Sequence, residues 1–310
     1  MFRKSTQNLL QKKRFFNKNN TFINYKPEFN INRTFRMSTK HNISHKEADK
    51  LFQGKKHATL YSKYRPTYPD EMLNDIKKEV DNRFDNLKDV HILDVGCGTG
   101  QVTSKLDSLF PIRASLTGTD PSAAQVENAK PNKNITYKVG TAEDTGFPEK
   151  SLALVSFGQC IHWMDFENVW KEMRRVLKPN GVLAILTYNI NSFQNKEAQE
   201  IAREFFNETL KGYWHPRRIY VDEDYETLPF PSDAVIETKH YDYPMKLSIA
   251  DYMGFLSSWS GYNAYLKDYP DSKILDEIQE KIMKAYGTTD PNMIIDISYP
   301  MLTKFVSFKQ

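Results

Sequence analysis

The sequence predicts an α/β protein whose mostly parallel sheet is covered by helices. From Val90 onward, short aliphatic runs alternate with amphipathic stretches, which is typical of strands joined by crossover helices. A glycine-rich stretch, ILDVGCGTG at residues 92–100, lies between the first aliphatic run and an amphipathic one, where α/β proteins often bind a ligand. The length of 310 residues favours one domain with an added cap and an N-terminal arm.

Five strands and three helices are predicted in the first half of this domain. Short apolar runs predict strands at residues 90–95, 115–119, 135–139, 152–157 and 182–188. Apolar residues at helical spacing predict helices at residues 101–110, 122–130 and 165–177. The tetrapeptide KPNG at residues 178–181 predicts a turn between the last of these helices and the fifth strand.

The second half departs from this rhythm and predicts a helical cap. A helix at residues 196–211 precedes the aromatic, proline-rich stretch GYWHPRRIYVDEDYETLPFP, which is too long for a simple crossover. A strand at 235–242, helices near 248–266 and 272–286, and an edge strand at 293–308 are predicted to follow. We therefore expect one domain at residues 41–310, capped by its N-terminal helix region and by residues 190–232 and 245–286.

The positive charge of the chain is concentrated in residues 1–40. These hold ten Lys or Arg against one acid, Glu28, so the total of +4 leaves residues 41–310 at −5. A mildly acidic body argues against a nucleic-acid surface on the folded domain. The basic arm, expected to be disordered, resembles a mitochondrial transit peptide, with a solvated tail or a start at Met37 as alternatives. We expect a monomer in the cytoplasm or the mitochondrial matrix.

Composition also excludes several kinds of site. Cys97 and Cys160 are the only cysteines, too few for a disulfide framework or a four-cysteine zinc site. The seven histidines show no metal-ligand spacing, so we expect no structural metal. No apolar run approaches the roughly 18 residues that a membrane helix needs.

The spacing of the glycines narrows the choice of ligand. Gly96, Gly98 and Gly100 form G-x-G-x-G, whereas the dinucleotide fingerprint is G-x-G-x-x-G, which disfavours a nicotinamide-dependent oxidoreductase. Asp94 stands just before the loop, where a carboxylate repels a pyrophosphate and suits a positively charged amino group.

Two further acidic positions predict an adenosine. Asp120 ends the second predicted strand, where an acid can accept hydrogen bonds from both ribose hydroxyls. The third strand is followed by GTAED, residues 140–144, in which an acid can receive the adenine amino group. A ligand with an adenosine, no pyrophosphate and a cationic end near Asp94 is S-adenosylmethionine.

These motifs resemble the class I S-adenosylmethionine-dependent methyltransferases over residues 90–188. The resemblance is carried by ILDVGCGTG, GTDPS, GTAEDTGFP, LALVSFGQCIHWMD and LKPNGVLAI. It implies a Rossmann-like seven-stranded mostly parallel sheet with helices on both faces, plus the helical cap. The segments YSKYRPTYP, QCIHWMDFE and SSWSGYNAY are similar to the trans-aconitate methyltransferase-like group.

The resemblance also implies roles for particular residues. Gln159 would lie by the methionine amino group and sulfonium. A lid over the cofactor would include Tyr61, Tyr64 and Arg65, and for Arg65 a helix-cap salt bridge is the alternative. The methionine part of the cofactor would be bound by Asp94, Gly96, Gly98 and Gly100, the ribose by Asp120, and the adenine by Ala142, Glu143 and Asp144.

Candidate catalytic residues follow the fourth strand and lie in the cap. His162 and Trp163 are expected to face the substrate, although a Trp at this position can also be core. The cap residue Arg217 suits bidentate capture of a carboxylate, unless Arg217 and Arg218 are a surface pair neutralised by the acids of residues 222–224.

The expected reaction is methylation of a small molecule, namely O-methylation of a carboxylic acid. A carboxylate with a pKa near 4 is already ionised at neutral pH, so His162 would position the acid and no base is needed. For a phenol or an amine, His162 is the available base. The alternatives are a C- or O-methyltransferase acting on a quinone or phenolic ring, and a non-catalytic protein that binds S-adenosylmethionine.

Overall fold

An eight-stranded sheet, with one strand more than the expected seven, forms the centre of the computed structural model, which describes residues 64–309. The additional strand is Ser192–Phe193, which is too short for a sequence pattern to reveal. The order of strands in the sheet is β3-β2-β1-β4-β5-β8, and both β6 and β7 pair with β8. The first five strands are parallel, and β8 is antiparallel to each strand that it contacts. The strands are β1 (His91–Val95), β2 (Ser115–Asp120), β3 (Thr136–Val139), β4 (Leu152–Gly158), β5 (Leu177–Tyr188), β6 (Ser192–Phe193), β7 (Ala234–Ser248) and β8 (Ile294–Phe308).

Helices cover both faces of the parallel part, as predicted. In β1, Ile92 belongs to one apolar cluster while Leu93 and Val95 belong to the other, because successive strand residues point to opposite faces. The buried residues of α1 and α2 share the cluster of Ile92, and those of α4 share the cluster of Leu93. These helices are α1 (Asp70–Asp81), α2 (Gln101–Leu109), α3 (Ala123–Glu127) and α4 (Phe166–Val176).

A second group of helices follows β5 in the chain. Within this group, α9 packs against both α5 and α7. The guanidinium of Arg65 ties the segment before α1 to this group, because it donates to the Ser258 carbonyl after α7 (3.0 Å) and to the Tyr188 hydroxyl at the end of β5 (3.2 Å). The group consists of α5 (Lys196–Glu204), a π-helical turn (Phe205–Thr209), a 3-10 turn (Pro216–Arg218), α6 (Ile219–Asp222), α7 (Ile249–Ser257), α8 (Ser260–Asp268) and α9 (Ile274–Ala285).

The structure corrects three details of the predicted elements. The strand predicted at the edge, β8, lies inside the sheet between β5 and β7, and the edge strand is β7. The KPNG tetrapeptide lies within β5 as a bulge, since Leu152 faces Leu177 while Leu154 faces Val182. The helix predicted to reach residue 211 ends at Glu204, where the π-helical turn begins. Tyr61 and the predicted arm at residues 1–40 lie outside the described residues.

Candidate active site

A cavity opens at the carboxyl ends of β1, β2 and β4. Its wall combines the glycine loop after β1, the end of β2, the segment after β3 and the segment after β4. Tyr68 before α1 and Tyr188 at the end of β5 complete the lining. Parallel strands bind ligands at this edge because their connections diverge there.

The glycine loop adopts a backbone that other residues rarely adopt. Gly96 and Gly100 have φ of 64° and 86°, in the left-handed region. A Cβ on Gly96 would lie 2.7 Å from the Cys160 sulfur, and one on Gly100 would overlap the Tyr137 hydroxyl. These two glycines therefore allow the loop to pack closely against its neighbours before α2 begins at Gln101. Gly96 lines the cavity, whereas Gly100 is outside the lining.

Asp94 brings a buried carboxylate to the cavity. The Thr103 hydroxyl donates to its Oδ2 (2.6 Å) and the Ser156 hydroxyl donates to its Oδ1 (2.7 Å). Burial raises the pKa of Asp94 to about 6, although both hydrogen bonds act in the opposite direction. The carboxylate is thus held rigidly in the wall, and a cation beside it would favour its ionised form.

Asp120 is held by two backbone amides of residues that line the cavity. Its Oδ2 accepts a hydrogen bond from the Gly98 amide and its Oδ1 accepts one from the Ser122 amide, both at 2.9 Å. Gly98 and Asp120 both line the cavity. The acid predicted to bind a ribose is therefore fixed in place by the glycine loop itself.

The segment after β3 brings only part of its predicted set to the cavity. Ala142 lines it together with Thr141, which the sequence interpretation did not include. Glu143 lies outside the lining, and its Oε1 accepts a hydrogen bond from the Asp165 amide (2.9 Å). Asp144 is exposed and also outside the lining. The structure therefore does not bring either acid to the cavity wall, because the chain turns away after Ala142.

Gln159 lines the cavity with a backbone φ of 57°. Its Oε1 accepts from the Thr187 hydroxyl (2.6 Å) and the Tyr188 amide (3.0 Å), and its Nε2 donates to the Tyr188 carbonyl (3.1 Å). The side chain predicted to face the methionine group thus also joins the ends of β4 and β5.

His162 corrects the expectation of a substrate-side histidine. It lies in a 3-10 turn, Ile161–Trp163, with only 4% of its surface exposed, and it is not part of the lining. Its Nδ1 forms a 2.8 Å hydrogen bond with the Tyr225 hydroxyl. Burial and the nearby guanidinium groups lower the pKa of His162 to about 3, so the ring is neutral at physiological pH. Trp163 does line the cavity.

Arg217 also departs from its predicted role. Its Nη1 donates to the carbonyls of His162 (3.2 Å) and Met164 (2.6 Å), and its guanidinium lies 5.0 Å from the centre of the Phe166 ring. It lies outside the lining. Arg217 therefore holds the turn that carries Trp163, and its neighbour Arg218 pairs with Asp222 (2.9 Å).

Of the residues predicted to form a lid over the cofactor, the structure describes Tyr64 and Arg65. Tyr61 is not among the described residues, and Arg65 lies outside the lining, where it contacts the lining residue Tyr188. The ring of Tyr64 lies against Gly254 of α7, where a Cβ would come within 2.5 Å of it.

Several lining residues were missed by the sequence interpretation. For Tyr188 and Cys160, the position directly at or after a strand end was a usable signal, since neighbouring strand ends meet at one edge. Tyr68, Gln125 and Met164 carried no such signal, because they reach the cavity through helix packing and loop paths.

The cavity fits a cofactor that carries positive charge. Two carboxylates, Asp94 and Asp120, line it, and no Lys, Arg or His side chain is among the described lining residues. Within residues 64–309, no cluster of His, Cys, Asp and Glu is arranged to hold a metal ion, and no helix is both long and apolar enough to cross a membrane. A parallel sheet, a glycine loop and two buried acids define an S-adenosylmethionine-binding methyltransferase fold.

Comparison with known proteins agrees with this class. The family model of the methyltransferase domain matches residues 93–185. A putative methyltransferase of Dictyostelium discoideum is 35% identical over 244 residues, which cover 78% of this chain and 89% of the relative. A structure described as a putative type II methyltransferase from Anaeromyxobacter dehalogenans is 28% identical, with a TM-score of 0.67, covering 78% of this chain and 97% of that one.

The name of a more distant relative includes its substrate. The malonyl-[acyl-carrier protein] O-methyltransferase of Bacillus anthracis is 27% identical over 127 residues, which cover 40% of this chain and 47% of the relative. The chain belongs to the S-adenosylmethionine-dependent methyltransferase family. It is a methyltransferase whose cofactor is S-adenosylmethionine.

Proposed function

We propose that this enzyme transfers the methyl group to a carboxylate oxygen of a small organic acid and forms a methyl ester. The observation that carries the proposal is the orientation of His162, which is buried, neutral and bonded to Tyr225 outside the cavity lining. A phenol or an amine would need a base, whereas a carboxylate is already ionised at neutral pH.

Arg65 and Tyr188 supply the charge and hydrogen bonding that an acid would use. The Tyr188 ring lines the cavity, and its hydroxyl accepts a hydrogen bond from Arg65. The Arg65 guanidinium beside this tyrosine would attract an anionic acceptor. A relative named as an O-methyltransferase of malonyl-[acyl-carrier protein] and the resemblance to the trans-aconitate methyltransferase-like group support the same substrate class.

The chain would act mainly by alignment and by exclusion of water. S-adenosylmethionine supplies an activated methyl group on a sulfonium, so the attacking oxygen needs no further activation by the protein. Asp94, Asp120 and the glycine loop would hold the cofactor, because they form one rigid wall. Tyr68, Trp163 and Tyr188 would shield the reacting atoms from water, since their rings line the cavity.

A chemical property of the product tests this proposal. The protein is incubated with small carboxylic acids and S-adenosylmethionine labelled in its methyl group, and the products are treated with alkali. A methyl ester releases labelled methanol, which is volatile, whereas a methyl ether or a C-methyl product does not. With saturating acid, we expect the turnover rate to be independent of pH between about 7 and 9, since the carboxylate is ionised throughout this range.

Two results would contradict the proposal. An alkali-stable product formed from a phenol or quinone, with no ester from any acid, would favour the ring methyltransferase. Binding of S-adenosylhomocysteine without transfer to any acceptor class would favour a non-catalytic protein.

A further inference from the structure

Tyr225 is a fully buried tyrosine of the segment that follows α6, and no step of the reaction above uses it. Its side chain is 0% exposed and its hydroxyl contacts Nδ1 of His162. Burial raises the pKa of the phenol well above its ordinary value, so the hydroxyl keeps its proton. A neutral phenol and a neutral imidazole therefore share one buried hydrogen bond.

The backbone at Tyr225 is strained. Asp224 and Tyr225 have φ of 53° and 57°, a region that residues with bulky side chains rarely adopt. Such strain persists where the surroundings determine the conformation. Three contacts do so here: the Tyr225 amide donates to the Tyr220 carbonyl (2.7 Å), the Asn189 amide group donates to the Val221 carbonyl (3.1 Å), and the Lys304 ammonium pairs with Glu226 (2.8 Å).

The His162 ring contacts both Tyr225 and Trp163, a residue of the cavity wall. Its centroid is 5.9 Å from that of Tyr225 and 4.7 Å from that of Trp163. In a 3-10 turn, successive side chains point about 120° apart, so His162 and Trp163 face different sides. The His162 ring packs against the Trp163 ring, which also contacts the His215 ring (centroids 4.9 Å apart), and Trp163 lines the cavity.

We propose that Tyr225 is a positioning residue of this methyltransferase, because its hydroxyl orients the His162 ring and that ring holds Trp163 in the cavity wall. Arg217 restrains the backbone of the same turn through the His162 and Met164 carbonyls. The backbone and the side chains of the turn are thus held by separate contacts from His215, Arg217 and Tyr225. The strained conformation of Tyr225 serves to place its hydroxyl at the His162 ring.

The variant Tyr225→Phe tests the proposal because it removes one hydroxyl and preserves the ring. The full chain is labelled with 5-fluorotryptophan, and the fluorine resonance of Trp163 is assigned with Trp163→Phe. We expect this resonance to shift or broaden in Tyr225→Phe, while the resonances of Trp170, Trp214 and Trp259 stay in place. Affinity for S-adenosylhomocysteine, measured by calorimetry, should fall about fivefold, because binding would then have to immobilise the loosened Trp163 side chain.

Tyr252→Phe is the matched control. Tyr252 is also fully buried, its hydroxyl lies 3.5 Å from Asn191, and it does not line the cavity. The control should lower the melting temperature without moving the Trp163 resonance or the affinity.

A purely structural role for Tyr225 would give the same pattern as the control. An unchanged Trp163 resonance with unchanged affinity in Tyr225→Phe would therefore overturn the proposal. If Tyr225→Phe does not fold, His162→Phe removes the other partner of the hydrogen bond. The same two readouts apply to it, and an unperturbed Trp163 resonance with wild-type affinity would again overturn the proposal.

Discussion

At the scale of single residues, two glycines with nearly the same backbone angle show two different reasons for a position to need glycine. Gly100 and Gly212 have almost the same φ, 86° and 85°, yet their surroundings differ. A Cβ on Gly100 would overlap Tyr137, whereas nothing lies within 4 Å of a Cβ on Gly212. An alanine would therefore have a strained backbone at both positions, but its Cβ would overlap a neighbouring residue only at position 100.

The pair Gly100→Ala and Gly212→Ala measures this difference. Both variants should lose stability through the positive φ, by about 1 to 2 kcal/mol. Gly100→Ala should lose about 1 to 3 kcal/mol more, because the Tyr137 ring must move. Urea denaturation provides the free energies of unfolding. Equal losses in the two variants would show that Tyr137 adapts without cost.

The sequence pattern was enough to predict the two acids of the cavity wall, but not the direction of each candidate side chain. Asp94 and Asp120 line the cavity because they occupy the last two positions of buried parallel strands, which the sequence pattern reveals. His162 also follows such a strand, yet a single 3-10 turn rotates it away from the cavity. The sequence pattern does not reveal that rotation, because it depends on Tyr225, 63 residues further along the chain.

At the scale of elements, the turn Ile161–Trp163 depends on contacts with the segment Pro216–Arg218. Two hydrogen bonds from Arg217 reach carbonyls in or beside the turn. A guanidinium can donate in several directions from a fixed plane, which an ammonium does not reproduce.

Replacement of this arginine distinguishes the two roles considered for it. Arg217→Lys should lower the free energy of unfolding by about 1 to 3 kcal/mol, because charged hydrogen bonds to the turn are lost. Arg218→Lys, one residue along, is the control that leaves those carbonyl contacts in place. An unchanged free energy of unfolding in Arg217→Lys, together with a large rise in KM for an acid acceptor, would instead restore the carboxylate-binding role.

Element type was easier to predict than element position. The strand at Ile294–Phe308 was predicted from its β-forming residues, but its place between β5 and β7 was not. Its residues from Met301 to Val306 are buried because neighbouring strands flank both edges and the core packs against the sheet. Such neighbours are distant in sequence, so local composition carries little information about them.

At the scale of the whole molecule, two buried groups of the site act on stability in opposite directions as pH changes. Folding lowers the pKa of His162 from 6.5 to about 3. As pH falls below 6.5, the unfolded chain therefore binds a proton at this histidine while the folded chain does not, and the free energy of unfolding decreases. The pKa of Asp94 rises from 3.8 to about 6, so its protonated form favours the folded state, and stability is lost as pH rises from about 4 to 6.

Comparing wild-type protein with His162→Phe at pH 7 and pH 5 isolates the histidine, because Asp94 contributes equally to both proteins. Wild-type protein should lose up to about 2 kcal/mol of stability through His162 on this change, which His162→Phe should not lose. Asp94→Asn should lose more stability between pH 7 and pH 5 than wild-type protein does, because it lacks the carboxylate whose protonation stabilises the folded state as pH falls. Chemical denaturation at the two pH values measures both effects. Parallel pH dependence in wild-type protein and His162→Phe would show that the imidazole is not buried in neutral form.

The sequence by itself determined the class of fold and the cofactor, because both depend on short segments. A strand, a loop with glycines at alternate positions and an acid at the next strand end are all local patterns. The tertiary structure decided which of the candidate side chains reach the cavity. Tyr68, Trp163 and Tyr188 line it, while His162 and Arg217 support its wall from outside. These assignments depend on contacts between segments far apart in the chain, where packing and burial rather than local spacing set the direction of each side chain.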